Sequence, residues 1–147
     1  MARVVDTQAY LDAVVHLLAQ GRQEIPVTVS GNSMCPFLHP GDTVFLSPAP
    51  QRLRRGQIVL FVRQNGRYIL HRIHKVNPDG SFLMLGDNQC CAEPVPGRDR
   101  IRALATGARI DKHDLTPASL RWKFYAHVWS RLVWLRPLIG KIWNRKA

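Results

Sequence analysis

A serine-containing segment near residue 30 holds the first side chains in this chain that could carry out chemistry. It reads Ser30-Gly31-Asn32-Ser33-Met34-Cys35-Pro36. A serine hydroxyl is a weak nucleophile and needs a base within hydrogen-bond reach, and the chain contains six histidines. A serine that follows a glycine is by itself typical of an ordinary turn, so its interpretation depends on the neighbouring residues.

Those neighbours form a larger pattern. Leu38-His39-Pro40-Gly41-Asp42-Thr43-Val44 follows the serine segment, and together they resemble the S-G-x-S-M-x-P…G-D-x-V box shared by signal peptidases and LexA-type repressors. The resemblance implies a serine endopeptidase with Ser33 as nucleophile and the Ser33 backbone N–H as one oxyanion donor. Signal peptidases often carry a second donor, a hydroxyl, where this chain has Gly31, so that donor is left open, with Asn32 as a candidate.

A second box supplies the base. Arg54-Arg55-Gly56-Gln57-Ile58-Val59 resembles the family's L-x-x-G-D-I-V, with Gln57 in place of the usual Asp. The following Tyr68-Ile69-Leu70-His71-Arg72-Ile73 resembles the [KH]-R motif and implies that His71 is the base. Histidine at this position is similar to the archaeal, endoplasmic-reticulum and sporulation-type signal peptidases, whereas bacterial signal peptidase I and LexA-type repressors use lysine.

Strand alternation also favours His71 over its neighbour His74. His71 shares a half-buried face with Ile69 and Ile73, while His74 falls on the other face beside Arg72. An imidazole near its ordinary pKa of ~6.5 can accept a serine proton at neutral pH. The other histidines are interpreted as structural or surface residues: His16, His39, His113 and His127.

A third box contains the acids. Leu85-Gly86-Asp87-Asn88 resembles the G-D-N motif that follows the base in signal peptidases. In histidine-type members a nearby acid orients the imidazole, the role that the triad gives to its Asp. Asp87 is the predicted active-site acid and Glu93 its rival. Asp87 could instead be a turn acid that accepts backbone N–H bonds.

The elements that must position these residues indicate a mainly β fold of the signal peptidase/LexA type. The pattern predicts an N-terminal helix from a cap at Asp6 to about Gln20, within residues 1–25. Short strands follow within the peptidase core, residues 26–114, including 27–29, 43–46, 82–85 and 101–110. Asn65-Gly66 predicts a type I′ turn between strands 58–63 and 67–76. Residues 93–100, rich in Pro and Gly, are predicted to be an irregular loop.

The tail, residues 115–147, is predicted to be a basic, Trp-rich, amphipathic helical segment that Pro137 bends or divides. The chain has net charge +11, and seven cations follow Asp114 without an acid. We expect residues 120–147 to contact an anionic membrane peripherally. The alternatives are packing onto the β core and a solvated face. A DNA-reading helix-turn-helix is not expected, because only one helix precedes the strands.

Composition sets further expectations. The three cysteines, Cys35, Cys90 and Cys91, are odd in number and favour a reducing, cytoplasmic location. No metal-ligand spacing occurs, so no metal or cofactor is expected. The residues 25–41 form the longest uncharged run, but prolines and glycines interrupt it, so no spanning segment is predicted.

The combined interpretation is an endopeptidase that removes a leader or signal-like segment from a peptide or small protein. The resemblance implies a substrate bound as an added strand, with small side chains before the scissile bond. Met34, Cys35 and Phe37 would line the cleft, or belong to the core. Two other functions remain: a self-cleaving LexA-like regulatory module, and a non-catalytic peptide- or membrane-binding module that retains the fold.

Overall fold

The structure, a computed structural model, describes residues 7–138. It contains an N-terminal helix, eight antiparallel strands and a short C-terminal helix, so the predicted mainly β fold is confirmed. The bounds are α1 Thr7–Ala19, β1 Ile25–Thr28, β2 Thr43–Ser47, β3 Ile58–Val62, β4 Tyr68–Val76, β5 Phe82–Leu85, β6 Glu93–Val95, β7 Ile101–Ile110, β8 His113–Leu115 and α2 Leu120–His127. The proposed cap Asp6 lies outside the described residues.

One sheet joins all the strands in the order β1-β2-β7-β3-β4-β5-β6, with β8 paired to β7. The long strand β7 pairs with both β2 and β3, and the register shifts at Phe45/Leu46 and at Leu60/Phe61. Such bulges bend a strand. In the path between the two ends of the sheet, β1 and β6 are the edge strands.

The β3–β4 hairpin is confirmed, but its turn differs from the one predicted. The Gly66 N–H donates to Arg63 O and the Arg63 N–H donates to Arg67 O, both at 2.8 Å. Only Gly66 has a positive φ (85°), since Asn65 does not. This is the three-residue loop in which a type I turn ends in a left-handed glycine. In the hairpin, His71 pairs with Val59.

Two corrections concern segments with weak local signals. Glu93–Val95, predicted to be part of an irregular loop, forms the edge strand β6. Pro94 is tolerated there because an edge strand needs no second row of hydrogen bonds. The unpredicted strand β8 follows a two-residue turn at Asp111 and Lys112, whose φ values are 49° and 67°. Positive φ at both positions is the type I′ pattern that the sequence predicts for Asn65-Gly66 instead.

Helices α1 and α2 share one hydrophobic core with the serine segment. Leu11, Val14 and Leu18 of α1 pack in the same cluster as Met34, Phe37 and Leu38 and as Trp122 and Ala126 of α2. Phe37 has no exposed surface, and its ring lies 5.2 Å from that of Trp122 and 4.9 Å from that of Tyr125. The serine segment is therefore fixed between the sheet and both helices.

The tail is helical in short pieces, and one side of it packs on the core. Trp122 and Trp129 are buried, whereas Trp134 is 71% exposed. The helical path is interrupted at Val128 and Leu132, before Pro137. Residues 139–147 of the predicted tail lie outside the described residues. Among the helices of residues 7–138, none combines the length and apolar composition that crossing a bilayer requires.

Candidate active site

Ser33 and His71 both line a cavity of about 310 Å³. Its wall is largely apolar and includes Leu11 of α1, Val27 of β1, Met34 and Leu70. Ser33 is half-buried, as a side chain at the wall of a cavity would be. A partly apolar cavity with a few polar groups is the usual form of a binding site.

Gly86 lies close to both Ser33 and His71. A β-carbon at position 86 would lie 2.5 Å from Ser33 O, 3.1 Å from His71 Nε2 and 3.2 Å from the Gln89 side chain. The Asn88 N–H also donates to Ser33 O at 3.0 Å. The backbone of Ser33 and the Nε2 atom of His71 thus face the same point beside Gly86, and only glycine leaves room there.

The His71 imidazole is held neutral by burial. The residue is 2% exposed, and its ring lies 5.9 Å from that of Phe61. Burial lowers the pKa of His71 to about 4, opposed by Glu93, while Arg63 lowers it further. Its Nδ1 atom is buried and has no hydrogen-bond partner among residues 7–138. At neutral pH the ring is therefore uncharged and able to accept a proton.

Glu93 is the acid whose charge acts on His71. Arg63 donates to both of its oxygens, from Nε at 2.8 Å and from Nη2 at 2.7 Å. This bidentate pair lowers the pKa of Glu93, and His71 lowers it further. Arg63 itself lines the cavity. The pair therefore sets a charged carboxylate near the imidazole without a direct bond to its Nδ1 atom.

Asp87 has a different partner. Its carboxylate accepts bonds from Arg72 Nε at 2.9 Å and Nη2 at 2.8 Å, and Asp87 is completely buried. Arg72 Nη1 donates to Gly56 O at 2.8 Å, and its guanidinium lies 5.4 Å from the Phe37 ring centre. This buried ion pair ties the turn after β5 to the middle of β4 and to the core.

The other predicted site residues are dispersed. Met34 and Phe37 both belong to the core, and of the two only Met34 also lines the cavity. Asn32 is exposed, and its Oδ1 atom accepts a weak bond from Cys35 Sγ at 3.9 Å. Burial, then Asp42, raises the pKa of the Cys35 thiol, so this neighbour of Ser33 stays protonated.

Sequence reasoning missed three residues that shape the site: Arg63, Arg72 and Gln89. Arg72 could have been found, because the residue after the base in the [KH]-R motif must point to the opposite face of the strand. Nothing local singles out Arg63 or Gln89. Their importance depends on contacts with distant segments.

Comparison with known proteins gives one match. The family described as Peptidase S24-like matches residues 3–106. The matched span contains every residue of the site described above. The chain has no significant match among curated proteins or among solved structures.

Proposed function

Because the chain belongs to the Peptidase S24-like family, we propose that it is a serine endopeptidase in which Ser33 is the nucleophile and His71 the general base. The observation that carries the proposal is that Ser33 and a buried, neutral imidazole line the same cavity, with the Ser33 backbone and His71 Nε2 both close to Gly86. A weak hydroxyl nucleophile needs such a base.

In the proposed reaction, Ser33 Oγ attacks the scissile carbonyl carbon while His71 Nε2 takes the hydroxyl proton. The Ser33 backbone N–H donates to the oxyanion. His71 then gives its proton to the leaving amine, and water hydrolyses the acyl-enzyme by the same route. Asn32 stays a candidate for the second oxyanion donor.

We propose Glu93, rather than Asp87, as the acid that supports His71. Each acid is held by an arginine, Asp87 by Arg72 and Glu93 by Arg63. Of the two carboxylates, it is that of Glu93 whose charge raises the pKa of His71. Proton transfer to a buried imidazole creates a buried cation, which is costly unless a counter-charge is near. Glu93 supplies that charge across space, and Arg63 holds it in place.

The proposed substrate is an extended segment of a peptide or small protein, such as a leader. Val27 and Thr28 of the edge strand β1 line the cavity, so a substrate strand paired there would run along it.

The three cysteines are unpaired, which supports a reducing compartment such as the cytoplasm.

We also propose a peripheral contact with anionic membrane through the exposed side of the tail. Leu120, Phe124 and Val128 are 85%, 45% and 45% exposed and recur every four residues, which places them on one side of α2 and its extension. We call them the exposed apolar face. Arg121 and Lys123 in the same helix are also exposed and would contact lipid phosphates.

The decisive experiment is labelling with a fluorophosphonate probe. Attack by Ser33 Oγ forms an O–P bond and expels fluoride, while His71 takes the proton. Wild type should be labelled at Ser33, and Ser33→Ala should not be labelled. Ser81→Ala, which alters another half-buried serine in a distant turn, should behave like wild type. Equal labelling of wild type and Ser33→Ala would overturn the proposal.

The self-cleaving module is the second candidate, because the same family supports a LexA-like module as well as a peptidase. It is separated by mass spectrometry. Prolonged incubation should leave the wild-type chain intact if it acts on other peptides, whereas Ser33-dependent fragments would identify a self-cleaving protein.

A further inference from the structure

The turn 86–89, which follows β5, touches both members of the proposed catalytic pair. It approaches Ser33 O through the Asn88 N–H and His71 Nε2 through Gly86. Internally the turn is held by bonds between Gly86 and Gln89. A shift of this turn would therefore disturb its contacts with both Ser33 and His71.

Three backbone carbonyls of the turn accept hydrogen bonds from two side chains of the tail. Arg136 Nη1 donates to Gly86 O at 3.0 Å and to Gln89 O at 2.7 Å. Trp129 Nε1 donates to Asp87 O at 2.9 Å. The turn is therefore bonded from outside along nearly its whole length.

The two donors also support one another. Arg136 Nη2 donates to Trp129 O at 3.2 Å, and the guanidinium lies 5.5 Å from the centre of the Trp129 ring. Both residues are buried, Arg136 being only 6% exposed. Bonds from a charged donor in a buried setting are stronger than neutral ones. Because it is buried, Arg136 is not one of the surface cations that could contact lipid.

Burial of an arginine costs free energy, which indicates that Arg136 has a specific role. Burial lowers the pKa of Arg136, and the nearby Asp87 carboxylate opposes that effect. Its Nε atom is buried with no partner among residues 7–138. A leucine or methionine would fill the same space without this cost, but it could not bond the carbonyls of the turn.

We propose that Trp129 and Arg136 are positioning residues, which hold the turn 86–89 in place beside Ser33 and His71. The inference rests on the proposed function, and it extends the catalytic unit beyond the family's matched residues, 3–106, into the tail. Neither side chain touches substrate; each acts through the turn.

The test compares variants by saturation kinetics of fluorophosphonate labelling, and by NMR titration of His71. Arg136→Met and Trp129→Phe should reduce the maximal labelling rate on the order of 10- to 100-fold with little change in probe affinity, because a misplacement near 1 Å costs that much. Loosening the turn admits water to His71, so its pKa should rise from about 4 toward ~6.5. Arg136→Lys should retain part of the rate.

Two controls separate positioning from stability. Arg131→Met removes an exposed arginine of the same segment that bonds a local carbonyl, that of His127. Trp122→Phe removes part of a buried tryptophan that packs on Phe37. Arg131→Met should match wild type in every measurement, and Trp122→Phe should lower the melting temperature without changing the labelling rate or the pKa of His71.

The outcomes are distinguishable. If Arg136→Met does not fold, Trp129→Phe and Arg136→Lys decide. Wild-type labelling rates and a wild-type His71 pKa in the folded variants would overturn the inference and leave the tail a stabilising element. If wild type is not labelled at Ser33, the proposed function fails, and the His71 titration alone decides whether the tail positions the turn.

Discussion

Both carboxylate oxygens of Asp87 are hydrogen-bonded to the guanidinium of Arg72, the residue that directly follows His71 in β4. Neighbouring residues of a strand point to opposite faces. The His-Arg pair therefore places an imidazole at the cavity and an anchor for the Gly86-Asp87 turn in the core. Two successive strand positions thus place the proposed base and, through Asp87, the turn beside it.

This relationship predicts that Asp87→Asn acts mainly on stability. It leaves the Arg72 charge buried without its counter-charge, which costs about 3–5 kcal/mol. Urea unfolding should show that loss, and labelling should fall with the folded fraction. The double variant Arg72→Met, Asp87→Leu should recover much of the stability. An Asp87→Asn protein as stable as wild type but inactive would instead assign Asp87 to the reaction.

Glu93→Gln should affect mainly the rate of the labelling reaction rather than the stability of the protein. Without the carboxylate, nothing opposes the effect of Arg63, so the pKa of His71 should fall below about 4. The maximal labelling rate should fall about tenfold or more, with a smaller change in the free energy of unfolding than for Asp87→Asn. Glu24→Gln, which removes an exposed acid from another part of the chain, is the control. Equal, small effects of both variants would favour a plain Ser–His dyad.

The pH dependence of activity should reflect the burial of His71. The second-order rate constant of labelling should stay constant as pH falls from neutrality and should decline only near the pKa of about 4. The pH dependence of this constant reports the ionisation of groups in the free protein. This replaces the decline near pH 6 that an ordinary imidazole would give. A midpoint near pH 6.5 would contradict a buried base.

The same shift makes a prediction about stability. The pKa of His71 is lower in the folded protein, about 4, than in the unfolded chain, ~6.5. Between these values the unfolded chain binds a proton that the folded protein does not, so acidification should cost about 3 kcal/mol of stability through this group. His71→Asn should flatten the dependence measured by urea unfolding, and His113→Asn, at an exposed position, should not.

Gly86→Ala should disable the site by steric contact. The new β-carbon would lie 2.5 Å from the Ser33 carbonyl oxygen, a distance that the backbone can relieve only by moving. We expect at least a tenfold loss of labelling rate. Gly97→Ala is the matched control, because its β-carbon would meet only the end of the Asp99 side chain, at 3.0 Å. A fully active Gly86→Ala protein would refute the close approach.

The membrane contact is tested by substitution rather than by truncation, since removing the tail would also remove buried core residues such as Trp122. The double variant Leu120→Ser, Phe124→Ser should weaken co-sedimentation with anionic vesicles, and wild type should bind neutral vesicles less. Leu17→Ser, at an exposed position of α1, should leave binding unchanged. Absence of wild-type binding to either vesicle type would end the membrane proposal.

The sequence by itself determined the elements and the boxes of the site. The apolar spacing of α1, the hairpin around Gly66 and the strand Ile101–Ile110 follow from local periodicity and turn chemistry, which depend on near neighbours. The predictions for Ser33, His71 and the Gly86-Asp87 pair likewise depend on short patterns with fixed spacing. The strands Glu93–Val95 and His113–Leu115 are not predicted from the sequence, because their formation depends on pairing with another strand.

Only the tertiary structure decided which groups act on one another. Asp87 and Glu93 are both acids downstream of His71, and nothing in their spacing reveals that Arg72 binds one and Arg63 the other. The shift of the His71 pKa comes from burial, which the whole fold creates. Likewise, the sequence presents Trp129 and Arg136 as members of an amphipathic basic tail. Packing turns them inward to the carbonyls of the turn 86–89, because hydrogen bonds and desolvation depend on distances in space rather than along the chain.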